Sequence, residues 1–171
     1  MRYWLMKSEP DEVSVDDVLA APGHTVAWFG VRNYQARNFM RDDMAVGDGV
    51  LFYHSSCAEP GVAGIAEVAS GAYPDQSQFE AGGKYFDPKA TREQPRWISV
   101  DVRGIEKTRL LPLSEMRTMP ALEDMVLLQK GSRLSISPVT EAQWKAIVAR
   151  LHQAPPPACA PVSKTAAKKG A

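Results

Sequence analysis

Val50-Leu51-Phe52-Tyr53-His54 is followed by Ser55-Ser56-Cys57-Ala58-Glu59-Pro60-Gly61 and then by Val62-Ala63-Gly64-Ile65-Ala66-Glu67-Val68. Two largely apolar, β-prone runs flank a segment of turn-forming residues, which predicts an antiparallel hairpin with a long loop. Gly64, inside the second run, marks a place where another backbone can approach closely. Upstream, Tyr3-Trp4-Leu5-Met6-Lys7 reads as a first strand, apolar on both faces and therefore central. Ser8-Glu9-Pro10 ends it, because Pro10 has no N–H to donate to a ladder. Downstream, Arg96–Arg103 alternates: Ile98, Val100 and Val102 point to the core, and Trp97, Ser99, Asp101 and Arg103 point the other way. Val26-Ala27-Trp28 and Leu110 to Leu113 add two brief strands.

Helix signals are short and peripheral. Ser14-Val15-Asp16-Asp17 opens like a capping box, with Val13 and Val18 placed as a hydrophobic staple. Pro138-Val139-Thr140-Glu141-Ala142-Gln143-Trp144 is the clearest helix start: Thr140 and Gln143 form the box, Val139 and Trp144 the staple, and the helix should run to about Leu151. Helical pieces are expected around 114–118 and 121–128. Residues 71–95, rich in Gly, Pro, Asp and Gln, form a long irregular connection pinned by Tyr73, Phe79, Tyr85 and Phe86. The total is five or six mostly antiparallel strands with short helices outside them, an α+β arrangement built on a small curved barrel. No strand–helix alternation with Gly-rich turns supports a parallel α/β sheet.

The chain has 171 residues, enough for one domain with a substantial core plus a tail. Residues 1–152 are expected to form that domain. Residues 153–171, rich in Pro, Ala and Lys, are expected to be a disordered tail. No run of about 18 apolar residues is present, so no membrane span is expected. A charge falls too early in Met1–Lys7 for the apolar region of a signal peptide, so a cytoplasmic protein, with a monomer as the default, is the expectation. Cys57 and Cys159 make neither a disulfide framework nor a metal-ligand spacing. The overall formal charge is zero, but three of the 20 basic residues (Lys164, Lys168 and Lys169) sit in the tail, and all 20 acidic ones precede it. Residues 1–152 therefore carry a net −3. That balance argues against tight, non-specific binding to duplex phosphates and leaves room for a local basic pocket.

The stretch richest in recognition groups is Trp28-Phe29-Gly30-Val31-Arg32-Asn33-Tyr34-Gln35-Ala36-Arg37-Asn38-Phe39-Met40-Arg41. Asn33 is placed to cap a helix starting at Tyr34. At about 100° per residue, Ala36, Phe39, Met40 and Met44 fall on a core face, and Tyr34, Arg37, Asn38 and Arg41 on the other. A core tryptophan before a solvated amphipathic helix and a binding site beside Trp28 and Arg32 are both compatible with this pattern.

Catalytic and metal chemistry find little support. Gly30 is a lone glycine, so no phosphate-cradling loop is present. His24, His54 and His152 lie far apart, so neither a metal nor a cofactor is expected. Ser55, Ser56 and Cys57 follow His54, and Glu9 could orient it, but no strained nucleophile elbow is recognisable. A small hydrolase or nucleotide-processing enzyme using His54, Glu9 and Cys57 is thus the alternative class. The plain reading of His54 is a strand-end histidine bonded to backbone. Ser8 and Glu9 either line the mouth of the barrel or serve turn chemistry. Lys7 is a solvated strand end or reaches a phosphate. Trp97 packs in the core or offers a stacking face. Tyr85-Phe86-Asp87-Pro88 anchors its loop or flanks a ligand.

Four motifs in order, Trp4-Leu5-Met6-Lys7-Ser8-Glu9-Pro10, Trp28–Asn38, Phe52-Tyr53-His54-Ser55 and Pro95-Arg96-Trp97, resemble the EVE domain family over about residues 1–152. The resemblance implies a PUA-like fold, a mixed, mostly antiparallel β pseudo-barrel with peripheral short helices, related to the YTH domains that read methylated adenine in RNA. It also implies a non-catalytic module that binds nucleic acid through a modified base, in DNA (modified cytosine is the usual proposal) or in RNA. Carried onto this sequence, the pocket residues would be Ser8, Glu9, Trp28, Arg32, Asn33, Tyr53, His54 and Ser55. Lys7, Arg37 and Arg41 would meet the nucleic-acid backbone. Ser56 departs from the Asn expected after the His-Ser pair. The fold follows from the resemblance more firmly than the ligand, since PUA-like folds serve many partners.

Overall fold

A computed structural model describes residues 1–155. Expectations for 156–171, including most of the expected tail and Cys159, fall outside the described residues. Seven strands form: β1 (Tyr3–Ser8), β2 (Thr25–Trp28), β3 (Gly49–His54), β4 (Gly61–Val68), β5 (Tyr73–Pro74), β6 (Ile98–Pro112) and β7 (Ile136–Val139). Four α-helices accompany them: α1 (Val15–Ala20), α2 (Tyr34–Asn38), α3 (Leu113–Met116) and α4 (Glu141–Leu151). The strands lie in the order β2-β6-β4-β3-β1-β7, with β5 paired to β6. Among the described residues only β1 and β3 pair in parallel, from Tyr3 opposite Gly49 to Ser8 opposite His54. The other pairings are antiparallel. β2 and β7 remain as edges, so the ladder is an open α+β pseudo-barrel.

The two central strands are apolar on both faces because both faces are covered. Trp4, Met6, Val50 and Phe52 belong to one core cluster together with Val15, Val18, Trp28, Ala36 and Met40. Leu5, Leu51 and Tyr53 belong to a second, with Met116, Leu122, Met125, Ile147 and Leu151. Alternate residues of each strand thus enter opposite cores. The expected β3–β4 hairpin forms, with a register shift between Phe52 and Tyr53.

Glycines set the seat of α1. A Cβ at Gly64 would lie 2.6 Å from the Glu106 carbonyl oxygen and 2.7 Å from Val15 Cγ2. At Gly104 of β6 it would lie 3.1 Å from Val18 Cγ1. The small residues let β6 and the apolar face of α1 press onto β4. Ser14 caps α1, receiving the Asp17 N–H at 3.1 Å while Asp17 accepts the Ser14 N–H at 2.8 Å.

Three elements differ from the sequence-based expectation. The strand expected at 96–103 and the brief strand expected at 110–113 are one 15-residue strand, β6. Its middle, Arg103 to Lys107, is mostly exposed and paired irregularly to β4, so the apolar alternation lapses while the ladder continues. β7 was not expected because Pro138 lies inside it. Pro138 is opposite Trp4 on an edge strand, where a missing N–H is tolerated. The helix after Asn33 tightens into α2 and then widens into a π-turn over Phe39–Asp43, in which the Met44 N–H reaches Phe39 O at 2.9 Å.

α4 begins as the sequence indicates. Thr140 Oγ1 accepts the Gln143 N–H at 3.2 Å and Gln143 Oε1 accepts the Thr140 N–H at 3.0 Å. Trp144 stacks on Tyr3 with ring centroids 4.6 Å apart. Thr140→Ala should therefore destabilise the domain by about 1 kcal/mol in denaturant unfolding; an unchanged midpoint would show that the box contributes nothing.

Candidate nucleic-acid interface

The parallel pairing brings the C-terminal ends of β1 and β3 to one place, where the Ser55 N–H meets Ser8 O at 3.0 Å. Beyond β1 the chain turns tightly, with the Glu12 and Val13 N–H groups on Glu9 O at 2.9 and 3.0 Å. The end of β2 arrives beside this turn. A cavity of about 350 Å³ opens between them, lined by Lys7, Ser8, Glu9, Glu12, Trp28, Phe29, Gly30, Val31, Ser55, Ser56, Tyr85 and Arg133, among others. Its volume lies at the lower end of the range of small-molecule pockets, roughly 300–1,000 Å³.

Residues 71–95 contribute Tyr85 to the lining of the cavity, and buried polar groups fix that segment. The Asp75 carboxylate accepts the Gly30 N–H at 2.8 Å, Arg32 Nη1 at 3.0 Å and the Ser77 hydroxyl at 2.6 Å. Burial works against this charge, but the bonds from Ser77, Gly30 and Arg32 outweigh it and hold the Asp75 pKa below the usual carboxylate range. Gln78 is fully buried and uses its whole amide: it donates to Asp75 O and Trp97 O and accepts the Arg96 and Trp97 N–H groups. Arg32 also donates to Tyr85 O at 2.7 Å. Its guanidinium carbon sits 5.4 and 5.3 Å from the Tyr85 and Trp97 ring centres.

Tyr85 then lies against Gly30. With φ at +81°, Gly30 adopts a conformation suited to glycine, and a Cβ there would fall 2.7 Å from Tyr85 Cζ. The Tyr85 hydroxyl donates to both Glu12 carboxylate oxygens at 2.9 Å, and Lys84 Nζ lies 2.6 Å from the same carboxylate. The segment is thereby tied to the turn before α1.

Of the expected pocket residues, Ser8, Glu9, Trp28 and Ser55 line the cavity, and of the expected backbone contacts, Lys7 does. Arg32, Asn33, Tyr53, His54, Arg37 and Arg41 do not, and each has another occupation. Arg32 is half-buried in the Asp75–Tyr85 bracket. Asn33 caps α2 through the Ala36 N–H at 3.0 Å. Tyr53 is buried in the second core. His54 Nε2 accepts the Val15 N–H at 3.1 Å and so holds the start of α1. Arg37 donates to Asn38 and Arg96 O and lies over the Tyr34 ring, while Arg41 pairs with Asp42 on the surface. His54 therefore faces helix α1, and no hydrogen bond joins it to Glu9 or Cys57. Trp28 lines the cavity but is only 7% exposed and meets Phe52 edge-on.

Sequence reasoning missed Glu12, Phe29 and Arg133. Phe29 stood beside Trp28 in the most suggestive stretch and is 46% exposed at the rim. Arg133 carried no local signal, because only the β1–β7 pairing brings its loop to the cavity. Ser56, where Asn was expected, has φ of +53°, a left-handed conformation that Asn adopts more readily than Ser. Among the described residues, no group of three or more His, Cys, Asp or Glu is placed to hold a metal ion, and no helix is long and apolar enough to cross a membrane.

Among the described residues, an open, mostly antiparallel sheet with one parallel strand pair and a polar and aromatic cavity beyond it is a PUA-like fold. Residues 2–150 match the EVE domain model, and the chain belongs to that family. Human thymocyte nuclear protein 1 is 39% identical over 90% of this chain and 75% of its own length. A Pseudomonas syringae protein of known crystal structure is 49% identical, with a TM-score of 0.83 over 86% of this chain and 98% of that one. The crystal structure of human THYN1 protein in complex with DNA containing 5-methylcytosine is 39% identical, with a TM-score of 0.83 over 91% of this chain and all of that one (100%).

Two expectations test these assignments. Burial lowers the His54 pKa, and its Nε2 must stay unprotonated to accept from Val15. A histidine whose folded pKa is depressed contributes stability that is complete above the unfolded value, about 6.5, and lost as pH falls through the folded value. Urea unfolding should show that loss below neutrality in the wild type and a flatter profile in His54→Gln. Arg32→Ala, which strands a buried carboxylate, should cost about 3 kcal/mol in the same assay; a change under about 0.5 kcal/mol, typical of a surface site, would contradict the bracket.

Proposed function

We propose that this protein is a non-catalytic reader of a modified base in nucleic acid, and that the base enters the cavity at the ends of β1 and β3. The observation that carries the proposal is that cavity: a preformed space lined by Ser8, whose hydroxyl donates to Val13 O and can still accept, by Ser55, and by Phe29, whose ring is exposed. A base withdrawn from its stack needs an aromatic face in place of its neighbours and polar groups along its edge. The relative solved with 5-methylcytosine-containing DNA makes DNA carrying modified cytosine the first ligand to test, with modified RNA second. We keep with this reading a cytoplasmic, monomeric protein. The hydrolase alternative loses its proposed base, since His54 is committed to α1.

A methyl group is sensed by apolar contact worth about 1 kcal/mol, so modified and unmodified bases should differ by on the order of tenfold in affinity unless a polar group is also read. Binding measured across modified and unmodified single- and double-stranded oligonucleotides tests the class, and turnover of a nucleotide would sink it. Phe29→Ala should lose roughly 1–3 kcal/mol of binding through lost stacking with its thermal midpoint nearly unchanged. Trp28→Ala should lower the midpoint as well, because that ring is part of the core. Wild-type affinity in both variants would remove the aromatic wall from the site.

A further inference from the structure

The following rests on the modified-base reading above. A flipped nucleotide brings its phosphate to the mouth of the cavity, and something must receive it. Most nearby cations are spoken for. Arg32 is matched by Asp75, Lys84 by Glu12 and Arg41 by Asp42. Arg37 has no carboxylate partner but is engaged with Asn38 and Arg96 O, outside the cavity.

Lys7 and Arg133 are different. Both line the cavity. Among the described residues neither side chain has a carboxylate within ion-pairing distance, and neither makes a hydrogen bond. They are brought together by the main chain, the Lys7 N–H donating to Ser135 O at 2.8 Å. Lys7 Nζ lies 6.0 Å from the Tyr53 ring centre, on the side of β1 that faces the second core. Trp28 and Val31 belong to the first core. The cavity therefore has an aromatic wall on one side of the strand ends and an unmatched cationic wall on the other. Lys7 is also half-buried, and that burial depresses its pKa, so its charge is held at a cost that an anionic ligand would offset. Of the two carboxylates at the cavity, Glu12 is already engaged by Lys84 and Tyr85, which leaves Glu9, exposed and in no ion pair.

We infer that Lys7 and Arg133 form the clamp for the phosphodiester of the nucleotide whose base enters the cavity, Arg133 offering its planar fork and Lys7 a point charge. The clamp positions the nucleotide and does not read the base.

The test is the salt dependence of binding by the full chain to a fluorescent oligonucleotide with one 5-methylcytosine and to its unmethylated twin. Lys7→Gln and Arg133→Gln should each weaken both oligonucleotides alike, on the order of tenfold at low salt, and reduce the slope of log K against log [salt] by about 1. The ratio between methylated and unmethylated affinities should not move. If either variant has a lowered thermal midpoint, the charge-keeping pair Lys7→Arg and Arg133→Lys decides: a retained slope supports the clamp and a lost slope overturns it. Wild-type slope and affinity in Lys7→Gln/Arg133→Gln overturn the clamp while selectivity for the methylated oligonucleotide leaves the reader standing. A wild-type protein that binds no oligonucleotide removes both.

Discussion

The parallel pairing of β1 with β3 is the constraint from which the rest of the molecule follows. Parallel neighbours cannot be joined by a tight turn and need a long crossover. Here residues 9–48 are that crossover, and they hold α1, β2, α2 and the π-turn after it. Because both strands run the same way, their C-terminal ends stop together, and the crossover must leave from one of them. The space between the strand ends and the departing chain is the cavity. The pair is buried on both faces, so its position is fixed from two cores at once. A slip of one residue would move Phe52 and Met6 into the wrong core.

The second constraint is electrostatic. Residues 71–95 have little regular structure, yet they are held in one place, because Asp75 and Gln78 spend nearly all of their hydrogen-bonding capacity on backbone, Ser77 and Arg32. A satisfied buried network of this kind rigidifies a loop more than its apolar contacts would. It explains why Arg32, which looks like a ligand-facing cation in the sequence, points into the protein. Its charge is the counterpart of Asp75, and the two rings it approaches, Tyr85 and Trp97, are the loop's anchors.

How far each feature can be read from sequence follows from how local its cause is. Caps and staples are local, so Ser14, Asn33 and Thr140 announce their helices correctly. Central strands are apolar on both sides, so β1 and β3 are plain. The parallel sense of their pairing is not, because no residue type encodes it. β7 is hidden by Pro138, whose tolerance depends on the strand lying at an edge. The site divides in the same way. Ser8 closes β1, Glu9 and Ser55 directly follow strand ends, and all three line the cavity. Tyr53 and His54 are the last two residues of β3, and Tyr53 enters a core while His54 meets α1. Arg133, some 126 residues from Lys7 in the chain, reaches the cavity only through the β1–β7 pairing, which no local pattern foretells.

Charge placement gives the proposed reader its selectivity. The described fold is slightly acidic, and nine of its 17 lysines and arginines are paired with carboxylates. General attraction to phosphate is therefore weak, and affinity for nucleic acid has to come from one place. If that place were a broad basic face, methylated and unmethylated sequences would compete almost equally, because phosphate contacts carry no base information. With only two unmatched cations at the cavity mouth, the electrostatic term is small enough that a contact worth about 1 kcal/mol to a single methyl group can still decide which site is occupied. A basic surface would raise affinity and erase that difference, so the slight acidity of the fold favours discrimination over strength of binding.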